Sequence, residues 1–312
     1  MTGYVDIQLN GCYGVDFNDN AMTVEAFHTA CVRLRKAGVR AFLPTIITAS
    51  MDDMCVRLAN LAHCVAADPL ARAMAPGFHV EGPLINPLAG WRGAHPEQHI
   101  RPATPEAAQR LVEAGGGNVR LFTLAPECDA GFATTRWLVS QGVKVAAGHC
   151  NPSLDQLQAA ADAGLSLFTH LGNGCPIQFH RHDNIVQRAL SLRDRLTLCF
   201  IADGVHIPLF ALANYLALVG ADRAVVVTDG VDLAGLGPGR YRLITGAEVE
   251  VGADLAVWSP DHSHLCGSAL TMPQIDANLH TLGYGEKAIR RMARENPLRA
   301  LGIELSGRLP AA

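Results

Sequence analysis

Four short motifs place a carboxylate or an imidazole at the point where an apolar, β-rich run ends. They occupy residues 79–83, 148–150, 169–171 and 227–230, and they contain Glu81, His149, His170 and Asp229. In a barrel of parallel strands, the strand ends meet at one face, where barrel enzymes gather their catalytic groups. Imidazole and carboxylate groups suit zinc, iron or a similar divalent ion. The motifs therefore predict a metal site with an acid/base beside it.

Each of these residues also has a structural interpretation when it is taken alone. Glu81 precedes Gly82-Pro83, which cannot continue a strand interior, so its carboxylate could cap the next element or pair with an arginine. A single histidine at a strand end is commonly a hydrogen-bonded core residue. Asp229 could form a cap or an Asx turn before Gly230. The metal interpretation is favoured because histidines follow two successive strands and a carboxylate follows an earlier one.

Apolar runs alternate with amphipathic segments along the whole chain. The candidate strands are 5–9, 39–47, 77–81, 119–125, 143–149, 165–170, 196–202 and 224–228. Their alternation with helical segments predicts an α/β fold, and the count of eight favours a (β/α)8 barrel over a doubly wound open sheet. Residues 237–258 alternate at period two around Gly246, which predicts a β-hairpin insertion after the eighth strand. We expect a single barrel domain spanning 1–312.

The composition excludes several classes of protein. A chain of 312 residues that is 49% hydrophobic can bury a large core. A net charge of −4 with both signs intermixed argues against a nucleic-acid partner, and no apolar stretch is long enough to cross a membrane. The cysteines number nine, without CxxC pairs, and the N-terminus lacks a secretory signal pattern. We therefore expect a cytoplasmic protein that acts on a small molecule.

Residues in the predicted loops could contact that molecule. His206 follows the seventh strand, whereas Asp203 is expected to form a turn because Asp-Gly is a turn dipeptide. His95 lies in a long segment rich in Pro and Gly, where a barrel enzyme carries a substrate loop. The cluster 180–183 could grip an anion, hold a second metal or form a charged surface turn, and its spacing leaves all three open.

In chain order, these motifs resemble the N-acetylglucosamine-6-phosphate deacetylase family of the amidohydrolase superfamily. The matching stretches cover nearly the whole chain: 6–11, 42–45, 79–83, 93–95, 124–127, 148–149, 169–171, 203–206, 227–229, 267–272 and 296–302. The resemblance implies a metal-dependent amidohydrolase that removes the acetyl group from an N-acetylated amino sugar, foremost N-acetylglucosamine 6-phosphate.

The resemblance also implies a role for each residue of the strand-end motifs. Glu81, His149 and His170 correspond to the ligands of one divalent metal, foremost zinc, with iron or another divalent ion as an alternative. Gln8 stands where two-metal relatives carry a histidine. Asp229 corresponds to the general base and acid, which takes a proton from metal-bound water and returns it to the leaving amine.

Substrate contacts are implied at five further positions. His95 and His206 correspond to residues that hold the substrate, while Asn173, Gly174 and Arg181 match the family's phosphate-binding positions. Relatives are commonly homodimers in which the neighbouring subunit helps to hold the phosphate, so we expect a homodimer.

The chain departs from the family pattern in three places. Residues 172–176 read Gly-Asn-Gly-Cys-Pro, where the family has a bulky residue and then Asn-Ala-Met, and 180–184 keep only the arginine of the phosphate-gripping turn. Relatives also carry a small β-sandwich outside the barrel, which we expect this chain to lack. Two alternatives therefore stay open: an amidohydrolase that acts on a different acylated amine or a cyclic amide, and a non-catalytic sugar-binding barrel.

Overall fold

Eight parallel strands form a barrel-shaped sheet at the centre of the protein. The computed structural model describes residues 3–242, 248–258, 265–305 and 309–310. From β1 to β8, the barrel strands are Tyr4–Leu9, Val39–Ile47, Phe78–Glu81, Val119–Leu124, Lys144–Ala147, Leu167–Phe168, Thr197–Ile201 and Ala224–Val227. Each strand pairs with the next in chain order. The predicted (β/α)8 barrel is confirmed, although several strands are shorter than their apolar runs.

Helices connect successive strands and cover the outside of the barrel. From α1 to α11, they are Val24–Lys36, Met51–Ala67, Pro69–Met74, Pro105–Ala114, Ala133–Ser140, Leu154–Asp162, Ile185–Ser191, Leu209–Val219, Met272–Thr281, Glu286–Arg290 and Asn296–Leu301. Short 3-10 turns occur at Glu97–His99, Pro126–Cys128 and Ala130–Phe132, and a π-helical turn at Arg291–Glu295 joins α10 to α11. Among the described residues, none of the helices has the length and apolar character needed to span a membrane.

Polar side chains define where many of these helices begin. Thr23, Ser50 and Thr104 each accept a hydrogen bond from a backbone N–H in the first turn of the helix that follows. Ser153 and Gln156 form a complete capping box at the start of α6. Because these caps satisfy N–H groups that have no partner inside the helix, they fix the residue at which each helix begins.

Two layers of apolar side chains hold the barrel together. Alternate strand residues such as Val5, Leu43 and Val225 fill the interior. Their neighbours on the other strand face, such as Phe42 and Phe122, pack with the helices in a larger cluster. Because strand side chains alternate between the two faces, one apolar run supplies both layers. The polar residues of the chemistry-bearing motifs lie beyond this core, at the carboxyl ends of the strands.

A small antiparallel sheet follows β8. Its strands β9 to β12 are Gly239–Arg242, Glu248–Val251, Ala256–Trp258 and Leu265–Ser268, paired in chain order. Strands β9 and β10 form the predicted hairpin, whose turn at Gly246 lies outside the described residues. The alternating pattern ends at residue 258, and it did not reveal that β11 and β12 extend the hairpin to a sheet of four strands.

The seam between β1 and β8 differs from the other strand contacts. Within the described part of the chain, one isolated bridge joins the two strand ends, between Leu9 and Gly230. The backbone N–H of Asp229 donates to the Gln8 carbonyl at 3.0 Å, and that of Asn10 donates to the Gly230 carbonyl at 2.7 Å. A few specific hydrogen bonds therefore replace a continuous ladder at the place where β1 and β8 deliver polar side chains.

Candidate metal centre and active site

Three of the four strand-end residues have a left-handed backbone. His149, His170 and Asp229 are each the second residue after a strand, with φ angles of 51°, 29° and 48°. Such angles are uncommon for residues with a Cβ, cost on the order of 1–3 kcal/mol each, and cluster at functional sites. The turn ends each strand abruptly and directs the side chain across the mouth of the barrel.

Glu81 is the point on which the histidines converge. Its Oε1 atom lies 3.0 Å from Nε2 of His149 and 2.8 Å from Nε2 of His170. Nε2 of His95 lies 3.2 Å from Nε2 of His149. All four side chains are buried. Residues from three strand ends and one loop thus form a cluster in which each side chain lies within hydrogen-bonding distance of at least one other.

The cluster has the dimensions of a cation site. In the described part of the chain, ligand atoms of Glu81, His95 and His149 lie within 4.8 Å of one another, a spacing that could hold a metal ion. His170 contacts the same Glu81 oxygen as His149. The structure therefore brings the three predicted ligands together, and it adds His95, which the sequence suggested as a substrate contact, at ligand distance.

The hydrogen bonds of these residues suit them for binding a cation. Nδ1 of His149 lies 3.1 Å from the Trp91 carbonyl, which can only accept, so Nδ1 carries a proton, and Nε2, which faces Glu81, is the nitrogen left to bind a cation. Burial, and then the neighbouring His149, lower the pKa of His95 to about 3, which keeps this imidazole neutral. Burial raises the pKa of Glu81, but the hydrogen bonds from His149 and His170 outweigh it and hold the pKa well below its usual range. Imidazole groups around an ionised carboxylate fit a divalent cation such as zinc.

Asp229 lies beside this cluster and is held by two amide groups. Nε2 of Gln8 donates to Asp229 Oδ1 and to Glu81 Oε2, both at 3.1 Å, and Nδ2 of Asn10 donates to the same Asp229 Oδ1 at 2.8 Å. The sequence had not suggested a role for Asn10. Since Oδ1 accepts both bonds, Oδ2 is the oxygen left to exchange a proton. Burial, followed by the charge of Glu81, raises the pKa of Asp229, as suits a group that both accepts and returns protons near neutral pH.

His206 is paired with Asp203 in the turn after β7. Oδ1 of Asp203 accepts the backbone N–H groups of Val205 and His206, each at 2.9 Å. Its Oδ2 lies 2.6 Å from Nδ1 of His206. The predicted turn is present, and the carboxylate also orients the imidazole, which the turn prediction missed. When charged, His206 lowers the pKa of Asp229, although burial and Glu81 dominate.

Backbone from two loops presses against the ring of His149. A Cβ placed on Gly174 would lie 2.6 Å from His149 Nδ1, and one placed on Gly93 would lie 3.1 Å from its Cε1. Asn173 donates from Nδ2 to the His170 carbonyl at 3.2 Å. Gly174 and Asn173 therefore contact two of the predicted metal ligands, and their predicted role in substrate binding stays a prediction.

Arg181 lies apart from this cluster. Its side chain is exposed, and no hydrogen bond or ion pair joins it to another residue in the described ranges.

The partly buried carboxylate of Glu127 links two of the surrounding loops. Oε1 of Glu127 accepts from Nδ2 of Asn86 at 2.8 Å and from the backbone N–H of Asn151. Asn86 follows β3, and Asn151 lies two residues after His149. Burial raises the pKa of Glu127. No local pattern in the sequence marks Glu127, because its partners lie in loops far apart in the chain.

Comparison with known proteins gives a consistent picture. No family model matches the chain. It is 31% identical over 307 residues to N-acetylglucosamine-6-phosphate deacetylase of Bacillus subtilis, covering 97% of this chain and 75% of that protein. It is also 31% identical over 306 residues to N-acetylgalactosamine-6-phosphate deacetylase of Escherichia coli O157:H7, covering 96% and 78%.

A solved structure has the same fold over nearly the whole chain. N-acetyl-D-glucosamine-6-phosphate deacetylase of Mycobacterium smegmatis, as a point mutant in complex with N-acetyl-D-glucosamine-6-phosphate, superimposes with a TM-score of 0.85 at 31% identity. The match covers 97% of this chain and 77% of that one.

Proposed function

Since this chain belongs to the N-acetylglucosamine-6-phosphate deacetylase family of the amidohydrolase superfamily, we propose that it removes the acetyl group from N-acetylglucosamine 6-phosphate. The reaction is the hydrolysis of an amide carbon–nitrogen bond with a divalent metal as cofactor. The observation that carries the proposal is the meeting of Glu81, His149 and His170 beside the partly buried carboxylate of Asp229.

The proposed ligands of the metal are Glu81, His149 and His170, and zinc is the proposed ion. When bound, the ion would polarise the amide carbonyl and acidify a water molecule. The hydrogen bonds of Gln8 support a single metal, because its amide donates to Glu81 and to Asp229 where a second ion would need ligands. A Gln side chain is a poor substitute for the imidazole of a two-metal site.

The remaining steps fall to the side chains around the cluster. Oδ2 of Asp229 accepts the proton of the attacking water and then donates it to the departing amine nitrogen. Gln8 and Asn10 keep the other oxygen of this carboxylate fixed through both transfers. His95 and His206 hold the acetyl group and the sugar, and Asn173 with Gly174 contact the phosphate.

Acetate release from a panel of N-acetylated hexosamines tests the substrate. We expect the highest kcat/KM for N-acetylglucosamine 6-phosphate and a much lower value for the unphosphorylated sugar. Equal turnover of both sugars would contradict the phosphate assignment. Ligand binding without acetate release by the metal-loaded protein would contradict the enzymatic assignment.

A second candidate substrate is N-acetylgalactosamine 6-phosphate. It is supported by the E. coli O157:H7 deacetylase named for that sugar, which is as similar to this chain as the B. subtilis protein. The two sugars differ only in the configuration at C4. Including both phosphorylated epimers in the panel separates the candidates by their ratio of kcat/KM.

We also propose that the enzyme is a cytoplasmic homodimer in which Arg181 reaches the phosphate in the partner's site. Arg181 is exposed beside the exposed apolar side chains of Ile177 and Phe179. The eight described cysteines are all free thiols, which suits a reducing compartment. We regard residues 1–312 as one catalytic domain.

Mixing two inactive variants tests the shared site. Arg181→Ala and Asp229→Asn homodimers are each expected to have low activity towards the phosphorylated sugar. Mixed dimers would recover activity, because one site then combines an intact Asp229 with the partner's intact arginine. A monomer in sedimentation, or no recovery in verified mixed dimers, would contradict the proposal.

A further inference from the structure

Asp6 carries a buried carboxylate at the seam between β1 and β8. The register of β1 against β2 shifts between Asp6 and Leu9, so the strand is irregular there. Oδ1 of Asp6 accepts from the backbone N–H groups of Gln8 and Thr228, each at 3.3 Å, and Oδ2 accepts from the Thr228 hydroxyl at 2.5 Å. One carboxylate therefore ties the irregular part of β1 to the residue that follows β8.

Thr228 extends this connection around Asp229. Its Oγ1 atom accepts the backbone N–H of Gly230 at 3.1 Å while its hydroxyl proton points to Asp6. The hydroxyl group of Thr228 thus links the two residues that flank Asp229 in the chain, Thr228 and Gly230. The turn that it closes is the one in which Asp229 has a φ of 48°.

The seam also fixes the amides that hold Asp229. Asp6 accepts from the backbone of Gln8, whose side chain donates to Asp229 Oδ1. The carboxylate of Asp6 therefore reaches Asp229 by two routes, through Thr228 directly after β8 and through Gln8 on β1.

Burying the carboxylate of Asp6 where the barrel closes costs free energy. Asp6 is 1% exposed, and burial raises its pKa to about 7 despite the hydrogen bonds from Thr228 and Gln8. Well-packed apolar side chains in such a position are often at least as stable as buried charged ones. Its contacts all lead to residues next to Asp229, which favours a role in the geometry of the site over a role in stability.

We propose that Asp6 and Thr228 are positioning residues that aim the Asp229 carboxylate at the reacting atoms. The inference rests on the proposed acid/base role of Asp229. It extends the active site to two residues, Asp6 and Thr228, that act through a path of hydrogen bonds. Neither residue is a proposed substrate contact or a proposed metal ligand. Because a displacement of about 1 Å in a catalytic group can cost on the order of 100-fold in rate, the path should affect kcat more than substrate binding.

Isosteric variants of Thr228 test this path. Thr228→Val keeps the shape of the side chain and removes its hydroxyl, and we expect kcat to fall by roughly 10- to 100-fold while KM changes by less than about 3-fold. Thr228→Ser restores the hydroxyl and should return kcat to within about 3-fold of wild type. The matched control is Thr134→Val in α5, whose hydroxyl is buried without a hydrogen-bond partner. Metal content, measured on every variant, should stay constant.

Several results would overturn the inference. Wild-type kcat in Thr228→Val would do so, and so would an equal loss in Thr228→Ser, since that variant keeps the hydroxyl. If Thr228→Val does not fold, Asp6→Asn decides, because it preserves shape and is expected to lower kcat by about 10-fold at unchanged KM. Wild-type kcat in that variant overturns the inference. Wild-type kcat in Asp229→Asn would instead refute the proposed acid/base, whatever the seam variants do.

Discussion

The side chains of His149, His170 and Asp229 owe their direction to backbone angles that residues with a Cβ seldom adopt. The local cost is offset by what surrounds each turn, such as the Trp91 carbonyl on His149 and the amides of Gln8 and Asn10 on Asp229. Strained residues of this kind persist only where the neighbouring structure fixes them. The site is therefore held in a geometry suited to chemistry before any substrate arrives.

Asp203→Asn is expected to move the ring proton of His206 from Nδ1 to Nε2. Asn keeps the oxygen that accepts the two backbone N–H groups of the turn, but its NH₂ faces Nδ1 and forces the proton to Nε2. We predict a fall in kcat/KM of roughly 10- to 100-fold with an unchanged melting temperature.

Two controls separate orientation from folding in this experiment. Asp203→Ala removes the turn contacts as well and should lower both activity and melting temperature. Nitrogen NMR of His206 reports which ring nitrogen carries the proton. An Asp203→Asn enzyme with wild-type kcat/KM would show that the orientation of His206 is unimportant.

The sequence could indicate some of these residues and not others for a physical reason. Glu81 and the two strand-end histidines stand out because a polar group that ends an apolar run is visible in one segment of chain. The pairs Asp6–Thr228 and Asn10–Asp229 join positions 222 and 219 residues apart, which no local pattern reveals. Their roles follow from the closure of the barrel.

The loops after β3 and β6 both contact the side chain of His149. Gly93 and Gly174 lie against the ring of His149, and a Cβ on Gly90 would lie 2.8 Å from Pro176. The imidazole is therefore positioned by loops as well as by its own strand. Support of this kind around a metal ligand commonly changes metal affinity by about 10- to 100-fold when it is removed.

Gly174→Ala should consequently weaken metal binding by roughly 10-fold, because the added Cβ meets His149. The matched control is Gly172→Ala, which also has a positive φ, of 97°, but whose Cβ would only touch Ile207 at 3.7 Å. Competition with a chromophoric chelator measures the affinity of each variant directly. Equal affinities in the two variants would refute the proposed contact with the ring.

The alternation of side chains in the sequence predicts only part of the sheet inserted after β8. Four residues in each of β9 and β10 alternate clearly enough to predict a hairpin. Strand β12 is defined by its pairing with β11. Its residue Ser268 also forms a bridge with Gly230, in the turn after β8. The last strand of the insertion thus returns the chain to the seam, next to Asp229.

At the scale of the whole molecule, the barrel depends on polar groups that are neutral in the folded state. His79 is buried between the hydroxyls of Thr45 and Thr123, at 3.4 and 2.7 Å, and burial lowers its pKa to about 4. The unfolded chain takes up a proton at this residue near pH 6.5, whereas the folded chain does so only near pH 4. The free energy of unfolding should therefore decrease as the pH falls from about 6.5 to about 4.

Urea denaturation of the metal-free protein at several pH values measures this effect. His79→Gln, which stays neutral throughout, is expected to show a smaller loss of stability between pH 7 and pH 5. An identical pH dependence in the two proteins would mean that other groups cause the loss.

The alternation of strands and helices made the barrel predictable from sequence, because a parallel sheet needs a helix between neighbouring strands. The length of β6 was not predictable in the same way. The apolar run 165–170 contains a strand of two residues, Leu167–Phe168, since the following positions are given over to the left-handed turn at His170. The turn that positions His170 makes strand β6 shorter than the apolar run that contains it.

In the proposed reaction, Asp229 moves the proton beside a metal held by Glu81, His149 and His170. The decisive measurement is the rate of acetate release from N-acetylglucosamine 6-phosphate by wild type and by Asp229→Asn, with the bound metal determined in each sample. We expect equal metal content and a kcat roughly 10²- to 10⁴-fold lower in the variant, the usual contribution of a general acid/base. Comparable kcat values at equal metal content would contradict it.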